Sequence, residues 1–373
     1  MRATRAVIHL DHLRHNIRAV QAHMIPGIKL CMAVKADAYG HGAVPVSRAA
    51  VEEGVSFLGV ATVEEGAELR AAGLRVPLLL LGLPLEEEAD AVIEHGITPF
   101  VATAESIRVL AEAARRRKSR LAVHLKIDTG MGRIGCTPRE ALPLALLIRE
   151  TDSLVLEGIA THFPVSDSAD GDEFTSGQTD QLNKLTQSLQ AEGINPPYRH
   201  AANSGAIIDK PYSHYNLVRP GIMLYGYYPS DDQRKTVPVR PVMTLKTNIS
   251  FIKKVPKGTG ISYGLTHTTA VETYIATLPV GYGDGYSRLL SNRGSVLVNG
   301  RRCPLVGRVC MDQTMIDLGT SPSARVGDEV VLFGPEPDAP DAADIAALMG
   351  TIPYEVTCLI TKRVPRVYLD PSE

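Results

Sequence analysis

Between residues 28 and 222, eight short apolar runs recur at even intervals: 28–34, 57–61, 78–82, 98–102, 121–127, 156–161, 198–202 and 217–222. Longer charged stretches separate them, with apolar residues every three to four positions. Runs of that length read as buried strands, and a 3.6-residue period reads as amphipathic helix. Eight such units in about 220 residues suit a closed (β/α)8 barrel. An open doubly wound sheet is the other arrangement, but eight evenly spaced units favour closure. In the first expected helix, Leu13, Ile17, Val20 and Met24 follow a cap at Asp11. Thr62 with Glu65, and Thr137 with Glu140, have capping-box spacing, the second with Pro138 at the first helical position. The basic run 115–118 reads as a helix end that favours the negative pole of the dipole.

The pattern changes after Tyr228. Residues 229–241 are rich in proline and charge and read as a linker. From Val242 a period of two dominates, at 244–253, 274–280, 295–298, 314–318 and 329–333, with one helix over 341–349. The expected fold is therefore α/β: an N-terminal (β/α)8 barrel followed by a mainly antiparallel β domain. The strand at 6–10 has no place among the eight and is expected to pair with the C-terminal domain. The expected segments are 1–10 for that strand, 11–230 for the barrel, 231–241 for the linker and 242–373 for the β domain.

Composition narrows the function. Lys plus Arg total 39 and Asp plus Glu total 41, a net charge of −2. That balance argues against a nucleic-acid binder or a polybasic membrane-surface protein. The longest apolar run, around 78–81, is too short to span a bilayer. Cys31, Cys136, Cys303, Cys310 and Cys358 are scattered without metal-ligand spacing, so no metal is expected. The odd, sparse set points to a reducing compartment, and the first residues lack the apolar stretch of a signal peptide. The expected location is the cytoplasm.

In a barrel of this kind, functional groups stand at the C-terminal ends of the strands. There the sequence offers Lys35, Lys126 with Asp128 and Arg133 beyond it, His162, Asn203-Ser204-Gly205, and Arg219 followed by Gly221-Ile222. A desolvated lysine has a lowered pKa and forms Schiff bases, although Lys35 alone reads more readily as a lysine reaching the barrel rim. The ends of strands seven and eight supply a hydroxyl and bare backbone amides, the usual barrel phosphate site. Taken with Lys35, the set suggests pyridoxal phosphate.

The run AVKADAYGHG (33–42) resembles the cofactor-lysine segment of alanine racemases. HLKIDTGMGRIG, THF, HAANSGA, VRPGIMLYG, SYG, GYGDGY, VCMDQTMIDL and YEV then follow in that family's order. The resemblance spans essentially the whole chain. It implies pyridoxal 5'-phosphate as cofactor, alanine as substrate, and a homodimer with active sites at the subunit interface. By the same resemblance, Lys35 holds the cofactor and acts as one base, and Tyr263 from the other subunit is the second. Arg219 donates to the pyridine nitrogen with His200 bonded to it, and His162 packs near the ring. Tyr39, Ser204, Gly221, Ile222 and Tyr354 hold the phosphate. Arg133 and the Met311 backbone bind the substrate carboxylate. Asn203 and Lys126 support the site, Asp312 flanks Tyr263, and Tyr282 lines the entrance. A Lys126 carbamate would give Arg133 a negative partner. A phenol ionises near pH ~10, so Tyr263 needs a neighbouring cation such as Arg133. Asp37 stands where the family more often has Asn, and Gly283 where Ala is common; neither carries chemistry.

Other readings are a barrel decarboxylase of the same cofactor class, a cofactor carrier built on a lone barrel, and a broad-specificity racemase. The first wants a Gly-rich phosphate loop beside a catalytic cysteine; Cys358 is available but that loop is not. A carrier has no use for a second base at Tyr263. A broad-specificity racemase wants an export signal and paired cysteines. The product expected from the resemblance is D-alanine for peptidoglycan.

Overall fold

In the computed structural model, which describes residues 2–370, each of the eight runs overlaps a strand. Met1 and residues 371–373, at the ends of the first and last expected segments, lie outside the described residues. After β1 (Arg5–His9) come β2 (Lys29–Ala33), β3 (Phe57–Val60), β4 (Leu78–Leu80), β5 (Ile97–Val101), β6 (Leu121–Lys126), β7 (Leu154–Ala160), β8 (Tyr198–His200) and β9 (Leu217–Val218). Strands β2 to β9 form one parallel eight-stranded sheet in the order β8-β7-β6-β5-β4-β3-β2-β9. Its two ends meet where Arg219 N–H donates to Ala202 O at 2.9 Å, so the sheet curls into a near-closed barrel. The strands are almost continuously apolar because helices cover one face and the barrel interior the other. Cys31, Phe57, Leu79, Phe100, Ala160 and Leu217 pack together as a separate cluster beneath the strand ends.

The second part contains β10 (Met243–Asn248), β11 (Phe251–Val255), β12 (Gly260–Ile261), β13 (His267–Thr268), β14 (Thr273–Leu278), β15 (Ser295–Val298), β16 (Arg301–Pro304), β17 (Thr314–Gly319), β18 (Glu329–Phe333) and β19 (Arg366–Leu369). One six-stranded sheet runs β16-β15-β18-β10-β1-β19, beside the three-stranded β11-β14-β17 and the pair β12-β13. β1 runs antiparallel to β10 and parallel to β19.

Several local expectations are corrected. The single strand expected over 244–253 is two strands, β10 and β11, in different sheets. At Ile249 and Ser250 the backbone transfers its bonds from Asp328 O to Thr277 O, so one sheet hands over to the other within two residues. β15 falls on the expected run at 295–298, but its hairpin partner β16 goes beyond the expected elements, although Asn299 (φ 47°) and Gly300 (φ 76°) at the turn are a recognised hairpin pair. The helix Pro353–Cys358 and β19 are further additions. Asp11 lies inside the first helical turn, whose cap is His9. Thr62 does cap its helix by accepting from Glu65 N–H at 3.3 Å, but the Glu65 carboxylate does not return to Thr62. It accepts instead from Ala36 and Ala61 N–H, each at 2.7 Å.

Candidate active site

β2 ends one residue before Val34 and Lys35, and the chain then does something its sequence does not announce. Ala36, Asp37, Ala38 and Tyr39 all have φ between 51° and 54°, a left-handed turn. Each such residue costs about 1–2 kcal/mol outside glycine, so the turn must be held. Ala36 N–H is taken by the Glu65 carboxylate, and Ala43 N–H by Asp37 Oδ1 at 2.7 Å. His41 Nδ1–H points at Ala38 O and Tyr39 O, at 3.0 and 2.9 Å. Burial holds that imidazole near pKa 4, hence neutral. Gly40 (φ 81°) closes the turn beneath the Pro353–Cys358 helix, where a Cβ would lie 2.2 Å from Thr357 O. Asp37 is thus a structural tie, and Glu65 and His41 are contributors that sequence reading misses.

The turn presents Lys35 and Tyr39 to a cavity of about 360 Å3 at the strand ends. Lys126, Arg133, His162, Asn203, Ser204, Arg219, Gly221 and Tyr354 also line it. Tyr354 arrives on the helix Pro353–Cys358, and its ring centroid is 5.8 Å from that of Tyr39. Asn203 caps the short helix Ser204–Asp209, accepting from Ala206 N–H at 3.1 Å, while its amide donates to Phe163 O. Ser204 Oγ accepts from Gly221 N–H at 2.9 Å. A Cβ on Gly221 would sit 2.9 Å from the Tyr39 hydroxyl, so this corner is a cradle that only a glycine leaves open.

The charge in the cavity is one-sided. Lys35, Lys126, Arg133 and Arg219 all line it, with Asp167 the acidic group on its wall. Burial lowers the Lys35 pKa, with the Arg133 charge adding to it and Glu65 opposing. Burial, then Arg219, pushes Lys126 down to about 7, and its Nζ donates to Ile127 O at 3.0 Å. Asp128 does not pair with either cation at ion-pair distance. It accepts from Gly130 and Gly132 N–H and so shapes the loop that carries Arg133. Arg133 has no ion pair among the described residues. Arg219 is buried and lowered to about 10 by that burial. It donates to Thr161 O, Ala201 O, His162 Nδ1 and His200 Nδ1 at 2.7 to 3.1 Å. Because His162 accepts there, and burial lowers its pKa further, it is neutral. A cavity of this size with four basic side chains and a glycine-floored hydroxyl corner suits a small anionic ligand.

Two family models match the chain. The alanine racemase N-terminal domain covers residues 8–229, and the alanine racemase C-terminal domain covers residues 242–368. The chain belongs to the alanine racemase family. The alanine racemase of Treponema denticola is 46% identical over 378 residues, covering 100% of both chains. The solved alanine racemase of Clostridium difficile 630 superposes with a TM-score of 0.96 at 41% identity, over 100% of this chain and 97% of that one. Its complex with cycloserine gives 0.94 at 40% identity, over 100% and 97%. The fold and the enzyme class, an isomerase of the racemase type, follow from that membership.

Not every expected residue meets in this cavity. His200 and Ile222 are fully buried behind it, His200 under Arg219 and Ile222 next to Gly221. Tyr263, Tyr282, Met311 and Asp312 do not line it. They gather on the β domain instead. Tyr282 N–H donates to Cys310 O and Gly283 N–H to Met311 O, which brings those two loops together. A Cβ on Gly281 would lie 2.2 Å from Cys310 O and 2.5 Å from Met311 O, and one on Gly283 would lie 2.3 Å from the Arg363 guanidinium, so both glycines are contact residues. Arg363 pairs with Asp312 at 2.7 Å. Tyr263 follows Ser262 (φ 63°), whose hydroxyl donates to Arg308 O. Tyr263 is 72% exposed and Met311 52% exposed, with Leu265 and Leu289 also exposed on this domain. Among the described residues, no helix is long and apolar enough to cross a membrane.

Proposed function

We propose that the protein interconverts L-alanine and D-alanine with pyridoxal 5'-phosphate. The observation that carries this is one cavity in which a desolvated lysine amine, an anion cradle and a carboxylate-free arginine converge. Lys35 is the tether. Tyr39, Ser204, Gly221, Ile222 and Tyr354 are the phosphate residues, and His162 and Arg219 flank the ring. Bound there, pyridoxal phosphate supplies an electron sink that acidifies the α-hydrogen of an amino acid.

The chain's own groups supply the rest. Arg133, free of a carboxylate, takes the substrate carboxylate together with the Met311 backbone. Lys35 moves the α-proton on one face. Racemisation needs a second group on the opposite face, and Tyr263 of a second copy of the chain is that group. Its exposure beside Met311, Tyr282 and Leu265 supports a homodimer closed over this surface, because clustered exposed apolar groups mark interaction sites. Asp312 and Tyr282 would then sit beside Tyr263 and at the entrance, with Asn203 and Lys126 supporting the cavity. A carbamate on Lys126 is favoured by an amine pKa near 7, since the neutral amine is the form that adds carbon dioxide. The product, D-alanine, is assigned to peptidoglycan supply. The near balance of charge and the sparse cysteines support a cytoplasmic enzyme without nucleic-acid or membrane partners.

The test is α-proton exchange of L-alanine in heavy water, with chirality read on the same sample. Exchange with inversion is expected. Exchange with retained configuration removes the second base, and a bound cofactor without any exchange removes alanine as the substrate.

A further inference from the structure

Below Arg219 a chain of polar side chains runs through the barrel interior, and the proposed chemistry does not use it. Arg219 Nη1 lies 2.7 Å from His200 Nδ1. His200 Nε2 lies 2.8 Å from His124 Nδ1, and His124 Nε2 lies 3.2 Å from a Glu157 carboxylate oxygen. The protons can be assigned from the two ends. A guanidinium only donates, so His200 Nδ1 accepts. A carboxylate only accepts, so His124 Nε2–H donates. His200 Nε2–H is then the donor to His124 Nδ1, and every link is satisfied with both rings neutral. Burial and the Arg219 charge hold both rings neutral, with Glu157 opposing at His124.

The backbone is built around this chain. β6 and β7 pair Val123 with Leu156 and then His124 with Gly158, which leaves Glu157 as the extra residue of a bulge. Bulges re-aim a side chain. A Cβ on Gly158 would lie 2.6 Å from His124 Nδ1, so the glycine makes room for the ring. Phe100 and Tyr198 flank His124, and Lys29 reaches the Tyr198 hydroxyl at 2.8 Å. Both imidazoles are fully buried, whereas the Glu157 side chain is 28% exposed. Arg219 has no carboxylate at ion-pair distance among the described residues, so Glu157 is the negative end of its hydrogen-bond chain.

We propose that Glu157 is a positioning residue for Arg219: through His124 and His200 it fixes the direction of the hydrogen bonds, so that His200 Nδ1 always offers a lone pair to the guanidinium. Without an acceptor at position 157, His124 and His200 can reverse together, and N–H then faces N–H at Arg219. The catalytic consequence rests on the proposed cofactor reading, in which Arg219 meets the ring; the proton assignment does not.

Two measurements test it. Nitrogen-15 NMR of histidine-labelled protein, with and without pyridoxal phosphate, is assigned by difference from His124→Gln and His200→Gln. Both rings are expected neutral with the proton on Nε2, and a cationic or Nδ1-protonated ring at either position overturns the proposal. In steady-state assays, Glu157→Leu is expected to lower kcat on alanine about tenfold, the scale of a lost buried hydrogen bond, with KM within about twofold. The absorption band of the bound cofactor should shift with it. Glu157→Gln keeps an acceptor and should restore most of kcat. An unchanged kcat and absorption band in the leucine variant, or equal loss in both variants, overturns the positioning role. If the unmodified protein fails to bind pyridoxal phosphate, the cofactor reading falls, and the NMR result still decides the chain.

Discussion

The barrel buries Arg219 and Lys126 and half-buries Lys35 and His162, whereas the β domain leaves Tyr263 and Met311 open to solvent. Lys35 and its neighbours already share a cavity within one chain, fixed by hydrogen bonds to backbone. The β-domain residues are also anchored, by Ser262, the glycines at 281 and 283, and Arg363, yet among the described residues no cavity encloses Tyr263 and Met311, which stay exposed. One region is a finished half-site. The other is an exposed surface, for which we propose a second copy of the chain as the complement, and the difference separates what burial does to reactivity from what assembly would do.

Breaking the barrel half should cost most. Lys35→Ala is expected to lower racemisation by at least about 10³-fold, the range for losing a positioned base, and to remove the proposed cofactor tether with it. Chiral assay and the cofactor absorption band read both. The β-domain half comes next. Tyr263→Phe should lower racemisation by about 10²-fold or more, while exchange of the α-proton from one enantiomer persists. Full racemisation by that variant would remove Tyr263 from the chemistry. Mixing the two inactive variants sharpens the comparison. Refolded together, they should recover about a quarter of normal activity, because half the dimers are mixed and each mixed dimer rebuilds one of its two sites. No recovery would place both halves of a site in one chain.

The contact between barrel loop and β domain within one chain is the next target. Gly40→Ala puts a Cβ on a left-handed residue against Thr357 O and should cost on the order of 3 kcal/mol in denaturant unfolding. A loss below about 0.5 kcal/mol, the range of ordinary surface changes, would mean that helix Pro353–Cys358 does not brace the lysine loop. The smallest effect concerns Lys126, lowered to about 7 from 10.5. Between those values the unfolded chain holds the proton and the folded one does not. Stability in bicarbonate-free buffer should therefore rise with pH through that window. Lys126→Met should flatten the rise, and a profile identical in the two proteins would show that Lys126 does not titrate as its burial implies.

Much of the fold is legible from the residues alone. The eight runs, the change of period after Tyr228 and the position of Lys35 at a strand end all stand in the sequence, because strand and helix periods are set by local geometry. The Asn299-Gly300 hairpin is legible too, being a local signal. Glu65 is easily misread because a carboxylate three residues past a cap has two possible partners, and sequence spacing shows only the near one. The left-handed turn at 36–39 is not legible, since alanine and tyrosine disfavour it and it is held by side-chain bonds from Asp37, His41 and the distant Glu65.

The sequence by itself determined the elements, their order and which residue types stand at the strand ends, all of which follow from side-chain period and backbone preference. Tertiary structure alone decided how charge is arranged. It joined Arg219 to Glu157, 62 positions apart in the chain, through His200 and His124. It also turned Tyr263 outward. Both depend on which strands become neighbours and where a bulge falls, and those are properties of the closed sheet, set by contacts that no local stretch of chain contains.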